Sequence, residues 1–365
     1  MSYEPKYTIT NIILKNIGAI EGSREVIEHA ALIPAWEVQF RREALERTVH
    51  HGTHLEGNEL SKEQAERLVA VEETHSELAA AQAGIVARDR DVQEVINYRK
   101  VMEWIDTIGI LDNKSVHLNA DLLRQVHKLT TERLLPEAEQ GAFRRVQVVI
   151  KNSKTGEISY RPPGFVEIPY QIDEFFQWVN TPAANDHHSV IRAGITHYEL
   201  VRIHPFTDGN GRTARAVALL LMYLEGYDVK RFFSLEEYYD ENPLGYYQSL
   251  QSVSQNEAFD LTCWLEYFTK GLAIELDKIK QQVLKLSKDV QLKTKVGHQV
   301  ALSDRQIKIL ETIQKQNGKI VSSELERILP LVSVDTILRD LKDLTQKGLI
   351  RKKGHTKGAF YMLVE

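Results

Sequence analysis

A chain of 365 residues is long enough for two or three compact units. Its 42% hydrophobic and 27% charged residues are the balance of a folded globular protein, which excludes disordered and fibrous classes. The net charge is −5, a single cysteine excludes an internal disulfide, and the apolar run 216–224 is too short to cross a membrane.

The amino terminus is polar, without the basic-then-apolar grading of a signal peptide, so a cytoplasmic protein with no membrane partner is expected. Apolar residues at three- and four-residue spacing predict helices over 38–49, 62–74, 92–105, 120–130, 166–179, 191–203, 211–224 and 261–286. Ser61 and Gln64 form a capping box at the start of one, and Gly226 stands where a left-handed cap residue ends another. Residues 145–163 alternate, turn through Lys154-Thr-Gly156 and alternate again, a β-hairpin stopped by Pro162 and Pro163. Cys263, between Thr262 and Trp264, is expected to be buried and inert. From 272 the chain becomes a lysine-rich helix with a thin apolar stripe, read as a connector over 272–300. Helices over 304–314, 322–329 and 334–347, followed by a hairpin over 349–363, have the order of a winged helix-turn-helix. Residues 301–365 hold 12 Lys and Arg against 8 Asp and Glu, a net +4, leaving −9 for the rest. That module is therefore expected to be separate and to meet something acidic.

The chemistry is concentrated between two apolar helices, in His204-Pro-Phe-Thr-Asp-Gly-Asn-Gly-Arg-Thr-Ala-Arg215. A Gly-Asn-Gly turn at a helix start lets backbone N–H groups converge on an anion, with the helix dipole adding to the attraction. Arg212 and Arg215, three apart, share one side of the first turn and can grip further phosphate oxygens. Asp208 is the hard oxygen ligand that a phosphate-bound Mg²⁺ requires. His204 supplies an imidazole that can act near neutral pH. Each element alone is commonplace: a turn, a structural histidine, a solvated pair of arginines. Together in 12 residues they describe phosphoryl-group chemistry with a general base.

This segment resembles the motif of the Fic (Fic/Doc) family, His-x-Phe-x-(Asp/Glu)-Gly-Asn-Gly-Arg-x-x-Arg, at every specified position. The similarity extends over most of residues 1–270, including Tyr160-Arg-Pro-Pro163 and the Thr196–Ile203 lead-in. The resemblance implies a mainly α fold: an all-helical core with a β-hairpin flap, here joined to a small α+β winged helix-turn-helix domain. The expected organisation is an amino-terminal helical region over 1–90, a catalytic core over 91–271, the connector over 272–300 and the final domain over 301–365. It implies transfer of AMP from Mg·ATP to a Ser, Thr or Tyr hydroxyl of a target protein laid along the 147–163 hairpin. His204 would take the hydroxyl proton, and Asp208 would hold Mg²⁺. Gly209, Asn210 and Gly211 would form the anion hole, Arg212 and Arg215 would bind the outer phosphates, and Phe206 would anchor the loop. One branch of the family carries Lys where Gly211 stands and phosphorylates instead; this chain does not match it.

The resemblance also implies an inhibitory helix of pattern (Ser/Thr)-x-x-x-Glu-(Gly/Asn). Read on its residues alone, Leu55-Glu56-Gly57 is a helix end with a glycine cap. In the family context Glu56 pairs with Arg215 and excludes the γ-phosphate. Position 52 departs from the pattern, being Gly with Thr53 one place later, so Thr53 either supplies the missing hydroxyl contact or the helix is held loosely. Deadenylylation by the same site, a nucleotide-sensing DNA-binding regulator and a different nucleotide donor are the alternatives.

His50 and His54 have the one-turn spacing of metal ligands, but no third ligand accompanies them. Pro205 takes His204 out of the helix and separates it from His197. His187 and His188 read as a solvated loop. The predicted recognition helix carries Asp335, Asp340 and Asp343 among its cations, so DNA binding competes there with homodimerisation or target docking.

Overall fold

The computed structural model describes residues 3–30, 32–110, 116–151, 158–256, 258–293, 302–315, 319–329, 332–354 and 360–364. The chain begins with helices α1 (Asn11–Glu28), α2 (Pro34–His54), α3 (Lys62–Val69), α4 (Ser76–Ala83), α5 (Asp89–Ile110) and α6 (Ala120–Thr131). Strands β1 (Ile150–Lys151) and β2 (Ile158–Tyr160) follow. Next come α7 (Ile168–Val179), α8 (Pro182–Asn185), α9 (Ser189–Ile203), α10 (Asn210–Leu224), α11 (Leu235–Glu241), α12 (Pro243–Ser254) and α13 (Thr262–Lys293). The last part is α14 (Asp304–Lys315), β3 (Lys319–Ile320), α15 (Ser322–Ile328), α16 (Val334–Gln346), β4 (Ile350–Lys353) and β5 (Phe360–Leu363).

The expected mainly helical architecture is what the chain adopts. At its centre α9 and α10 pack antiparallel along most of their lengths. Helix α9 is buried from Val190 to Leu200 without interruption, so several of its polar side chains find partners inside. Thr196 donates to the Arg192 carbonyl, and His197 bonds the Tyr246 hydroxyl at 2.8 Å. Gly194 lets α13 approach closely, and Trp264 Nε1 donates to its carbonyl at 2.7 Å. Helix α13 runs unbroken through position 272, with Leu272, Leu276, Ile279 and Val283 buried in the main core.

Local signals explain several boundaries. The Ser61–Gln64 capping box forms as expected, although α3 stops at Val69 rather than at 74. Gly226 takes φ +77° just past α10. Helix α1 has no counterpart among the predicted helices: Ile13, Ile17, Ile20 and Ile27 face the core, but Ile12 and Leu14 are exposed, so its apolar residues do not keep to one face. The hairpin forms as an antiparallel pair with Ile150 opposite Tyr160, while its turn at Lys154-Thr-Gly156 lies outside the described residues. Cys263 corrects its expectation: it is exposed, on the outward face of a helix whose neighbours Trp264 and Leu265 are buried. His187 and His188 are half-buried and bonded, to Tyr7 and Tyr227 respectively.

A second apolar cluster gathers Ile307, Leu310, Ile313, Leu325, Ile337, Leu341, Leu344 and Ile350 beneath a three-stranded antiparallel sheet of order β3-β5-β4. Val38 of α2 joins it, and Lys308 pairs with Asp106 of α5 at 3.7 Å. No described helix is long and apolar enough to cross a membrane.

Gly194 supplies a direct test of the central packing. A Cβ there would stand 2.8 Å from Leu265 Cδ2 and 3.0 Å from Phe268 Cδ1. Gly194→Val is expected to destabilise by roughly 1–3 kcal/mol through overpacking, lowering the thermal midpoint by a few degrees. An unchanged midpoint in differential scanning calorimetry would show that α9 and α13 are not in this contact.

Candidate active site

Pro205 ends α9, and His204 takes the cap position in the left-handed conformation, φ 51° and ψ 59°. For a residue with a Cβ that conformation is strained, so the surroundings must hold it. The His204 amide donates to the Leu200 carbonyl at 3.1 Å. Its Nδ1 lies 3.2 Å from the Val201 carbonyl, an acceptor only, so Nδ1 carries the hydrogen and Nε2 is left with a lone pair. Burial lowers the His204 pKa below its ordinary value, with the Val201 carbonyl and the Glu56 charge opposing, so the neutral form is favoured.

The loop beyond His204 is closed by its own side chains. Asn210 Oδ1 accepts from the Phe206 amide and Nδ2 donates to the Phe206 carbonyl, both at 2.9 Å. The side chain of Asn210 thus shapes the loop, and only its backbone is left for an anion. Phe206 is fully buried and stacks on His127 with ring centroids 3.6 Å apart. His127 was not singled out in the sequence, yet it bridges the loop. Its Nδ1 accepts from the Gly141 amide at 2.9 Å and its Nε2 reaches the Asp208 carbonyl at 3.0 Å. Burial drives its pKa down to about 4, which keeps it neutral in this bridging tautomer.

Gly209 caps α10 at φ 72°, where a Cβ would also meet Thr131 Cγ2 at 2.9 Å. The first-turn N–H groups of a helix have no intrahelical partner, and here no side chain caps them, an arrangement able to accept an anion. Arg212 and Arg215, which a solvated-face reading would put in water, are 2% and 3% exposed. Nε and Nη1 of Arg212 have no hydrogen-bond partner among the described residues, although Glu94 Oε1 lies 3.4 Å from Nη1. Those donors are left for water or an anion.

Each charge of the motif has an intramolecular counterpart. Arg215 Nη1 donates to Glu56 Oε1 at 2.8 Å and Nη2 to the Gly52 carbonyl at 2.9 Å. Burial opposes the charge on Arg215, but Glu56 and its neighbours hold its pKa well above the ordinary value. Glu56 fits because position 211 is glycine: a Cβ there would lie 2.1 Å from Glu56 Oε1. Arg90 Nη2 donates to Asp208 Oδ2 at 2.7 Å, and the Gly209 amide donates to Oδ1 at 2.6 Å. Burial pushes the Asp208 pKa up, but Arg90, Arg212 and that amide together keep it below the ordinary value, so the carboxylate is charged.

The departure at position 52 has a steric reason. A Cβ on Gly52 would stand 2.3 Å from Tyr98 Cε1, so the Tyr98 ring fills the space that a serine or threonine would need. Thr53 does not replace the lost hydroxyl, because its Oγ1 donates to the Val49 and His50 carbonyls of its own helix. Among the described residues no cluster of three or more metal-ligating side chains forms. His51 and His54 instead share the Asp240 carboxylate at 2.8 Å each.

The chain is similar to several known proteins. The chain is 28% identical over 213 residues to "Protein adenylyltransferase Fic" of Culex quinquefasciatus, which covers 58% of this chain and 39% of that protein. It is 30% identical over 186 residues to the protein of the same name from Aedes aegypti, covering 51% and 34%. The chain therefore spans well under half the length of these curated relatives. Among solved structures, a Fic family protein from Desulfovibrio desulfuricans G20 superposes with a TM-score of 0.62 at 20% identity, covering 99% of this chain and 98% of that one. Fic-1 (residues 134–508) of C. elegans superposes with a TM-score of 0.57 at 23% identity, covering 76% and 74%. These two establish likeness of fold. Residues 117–222 match the model of the Fic/DOC family, and this part of the chain, which contains His204 to Arg215, is a Fic/DOC family domain.

Proposed function

We propose that the chain is a protein adenylyltransferase, moving AMP from ATP to a Ser, Thr or Tyr hydroxyl of a target docked at the 147–163 hairpin. One observation carries this reading: a neutral His204, with Nε2 free to accept a proton, adjoins a helix N-terminus backed by two buried arginines. The relatives named adenylyltransferase support it.

On this reading the hydroxyl oxygen bonds to the α-phosphorus as the bond to the bridging oxygen breaks, releasing pyrophosphate. His204 Nε2 takes the hydroxyl proton. The first-turn N–H groups of α10 and Arg212 and Arg215 bind the phosphate oxygens. Asp208 fits a divalent cation: it is charged, half-exposed, and its Oδ2 already accepts from a cation, the Arg90 guanidinium. Mg²⁺ bound there would supply charge neutralisation to the phosphates.

The resting molecule is held off by Glu56, which occupies the anion side of Arg215. Its side chain is 29% exposed against 2% for Arg215, so the pair is half shielded and costs less to break than the roughly 3–5 kcal/mol of a fully buried one. The same carboxylate beside Gly211 could orient a water that removes AMP, which makes deadenylylation the second activity to assay. Residues 301–365 are read as a winged helix-turn-helix that docks on an acidic surface. Arg351, Lys352 and Lys353 of β4 are exposed, while Asp340 and Asp343 are neutralised by Arg305 and Lys347.

Glu56→Gly is expected to raise transfer of label from α-labelled ATP to protein by about tenfold or more, the equivalent of 1.4 kcal/mol. Adding His204→Ala should abolish it, and labelling that survives the double change removes His204 as the base. The acid limb of the rate profile should fall below pH 6.5, because burial lowers the His204 pKa from that value and the neutral base persists in weakly acidic solution. A limb at or above pH 7 would contradict this assignment. Asp208→Asn in the Glu56→Gly protein should remove the dependence of nucleotide affinity on Mg²⁺, measured by calorimetry with and without EDTA; an undiminished dependence assigns the cation elsewhere.

A further inference from the structure

Arg144 lies between α6 and the hairpin, 3% exposed, and its charge faces carbonyl oxygens rather than a carboxylate. Its Nε donates to the His204 carbonyl at 2.8 Å, Nη1 to the Val146 carbonyl at 2.9 Å and Nη2 to the Pro163 carbonyl at 2.7 Å. Its backbone N–H donates to the Pro205 carbonyl at 2.8 Å. Burial lowers its pKa from the ordinary value, with only Tyr160 opposing, so holding a cation here works against solvation.

The three carbonyls belong to two functional parts. His204 is the strained cap residue bearing the imidazole, while Val146 and Pro163 are the roots of the hairpin on either side of β1 and β2. A second tie runs parallel: the Tyr160 hydroxyl of β2 donates to the Arg202 carbonyl at 3.1 Å, two residues before His204. A planar guanidinium has five donors in a fixed fork and can fix three acceptors in one plane of geometry; a lysine ammonium cannot span them.

We propose that Arg144 is a positioning residue for the transfer reaction, joining the left-handed His204 and both roots of the hairpin into one rigid unit. A hydroxyl carried by a target strand on the hairpin then meets Nε2 in register, without any contact between Arg144 and the reactants. The inference rests on the transferase reading given above. It separates two halves of the site: hydroxyl and base are placed by Arg144, whereas ATP is held by the α10 N-terminus, Arg212 and Arg215.

The test compares Glu56→Gly with the same protein carrying Arg144→Ala or Arg144→Lys. The measurements are the kcat and KM for ATP in protein labelling, nucleotide affinity by calorimetry, and the ¹⁵N resonances of His204, identified by their loss in His204→Ala. Both Arg144 variants should lower kcat on the order of 100-fold, as a small misplacement of reacting groups does, while KM for ATP and nucleotide affinity stay within about twofold. The His204 resonances should move from a single Nδ1–H tautomer toward a mixture. Unchanged kcat and unchanged His204 resonances in a parent that labels protein would overturn this inference alone. A parent that labels nothing overturns the transferase reading and this inference with it. Should Arg144→Ala fail to fold, Arg144→Lys carries the comparison; if that variant also loses its thermal transition or its nucleotide affinity, Arg144 is merely structural.

Discussion

Two arginines buried in the first two turns of α10 set the terms for everything around them. A guanidinium out of water must meet opposite charge and hydrogen-bond acceptors, or the fold loses several kcal/mol per ion. Arg215 meets Glu56 and the Gly52 carbonyl, so the end of α2 is drawn onto α10. Arg212 meets Glu94, which fixes the first turns of α5 on the other side. The positions of α2 and α5 thus follow from the need to neutralise α10, and apolar packing along α9 supplies the floor.

The same contacts tie the parts of the site to one another. Asn58, just past α2, donates to Glu94 Oε2 at 3.0 Å and to the Asp91 carbonyl at 2.9 Å. Glu94 also accepts from Arg90, and Arg90 reaches Asp208. A continuous set of polar contacts therefore runs from the turn after α2 that carries Glu56 and Asn58, through α5, to the carboxylate of the motif. On the other flank His127 and Arg144 hold the loop from behind, one by its stacked ring and the other by its fork. Both flanks meet at Asp208, through the Arg90 and His127 bonds, and Arg144 holds the other end of the segment at His204.

Much of this was legible in the sequence because it depends on near neighbours. The Gly-Asn-Gly turn, the arginine spacing and the proline after His204 are local patterns with one physical consequence each. Glu56 was legible only through a resemblance, since nothing in its flanking residues distinguishes it from a capped helix end. The remainder depends on tertiary contacts. His127 lies 77 residues before His204 in a helix whose other residues give no hint of a stacked ring, and Arg144 stands just before the stretch that reads as the hairpin. Gly52 seemed a defect in a pattern until Tyr98, 46 residues away, proved to occupy the space. Exposure of Cys263 escaped the sequence reading for a related reason, because its helix is apolar on both sides of that one outward position.

On the transferase reading, the resting site already contains a protein substitute for each charge of Mg·ATP. Glu56 stands for a phosphate oxygen on Arg215, and Arg90 stands for the metal on Asp208. Ligand binding then exchanges ion pairs instead of creating them, so no buried charge is left uncompensated at either end of the process. The affinity is the small difference between two well-paired states, not the large energy of either. On that reading such a site would stay folded and silent without ligand, and a modest change in the hold on α2 would alter the balance. The hold on Arg215 is correspondingly sparse: Tyr98 fills the space that a side chain at position 52 would need, the Gly52 backbone carbonyl accepts from Arg215, and Glu56 is the one side-chain carboxylate bonded to it among the described residues.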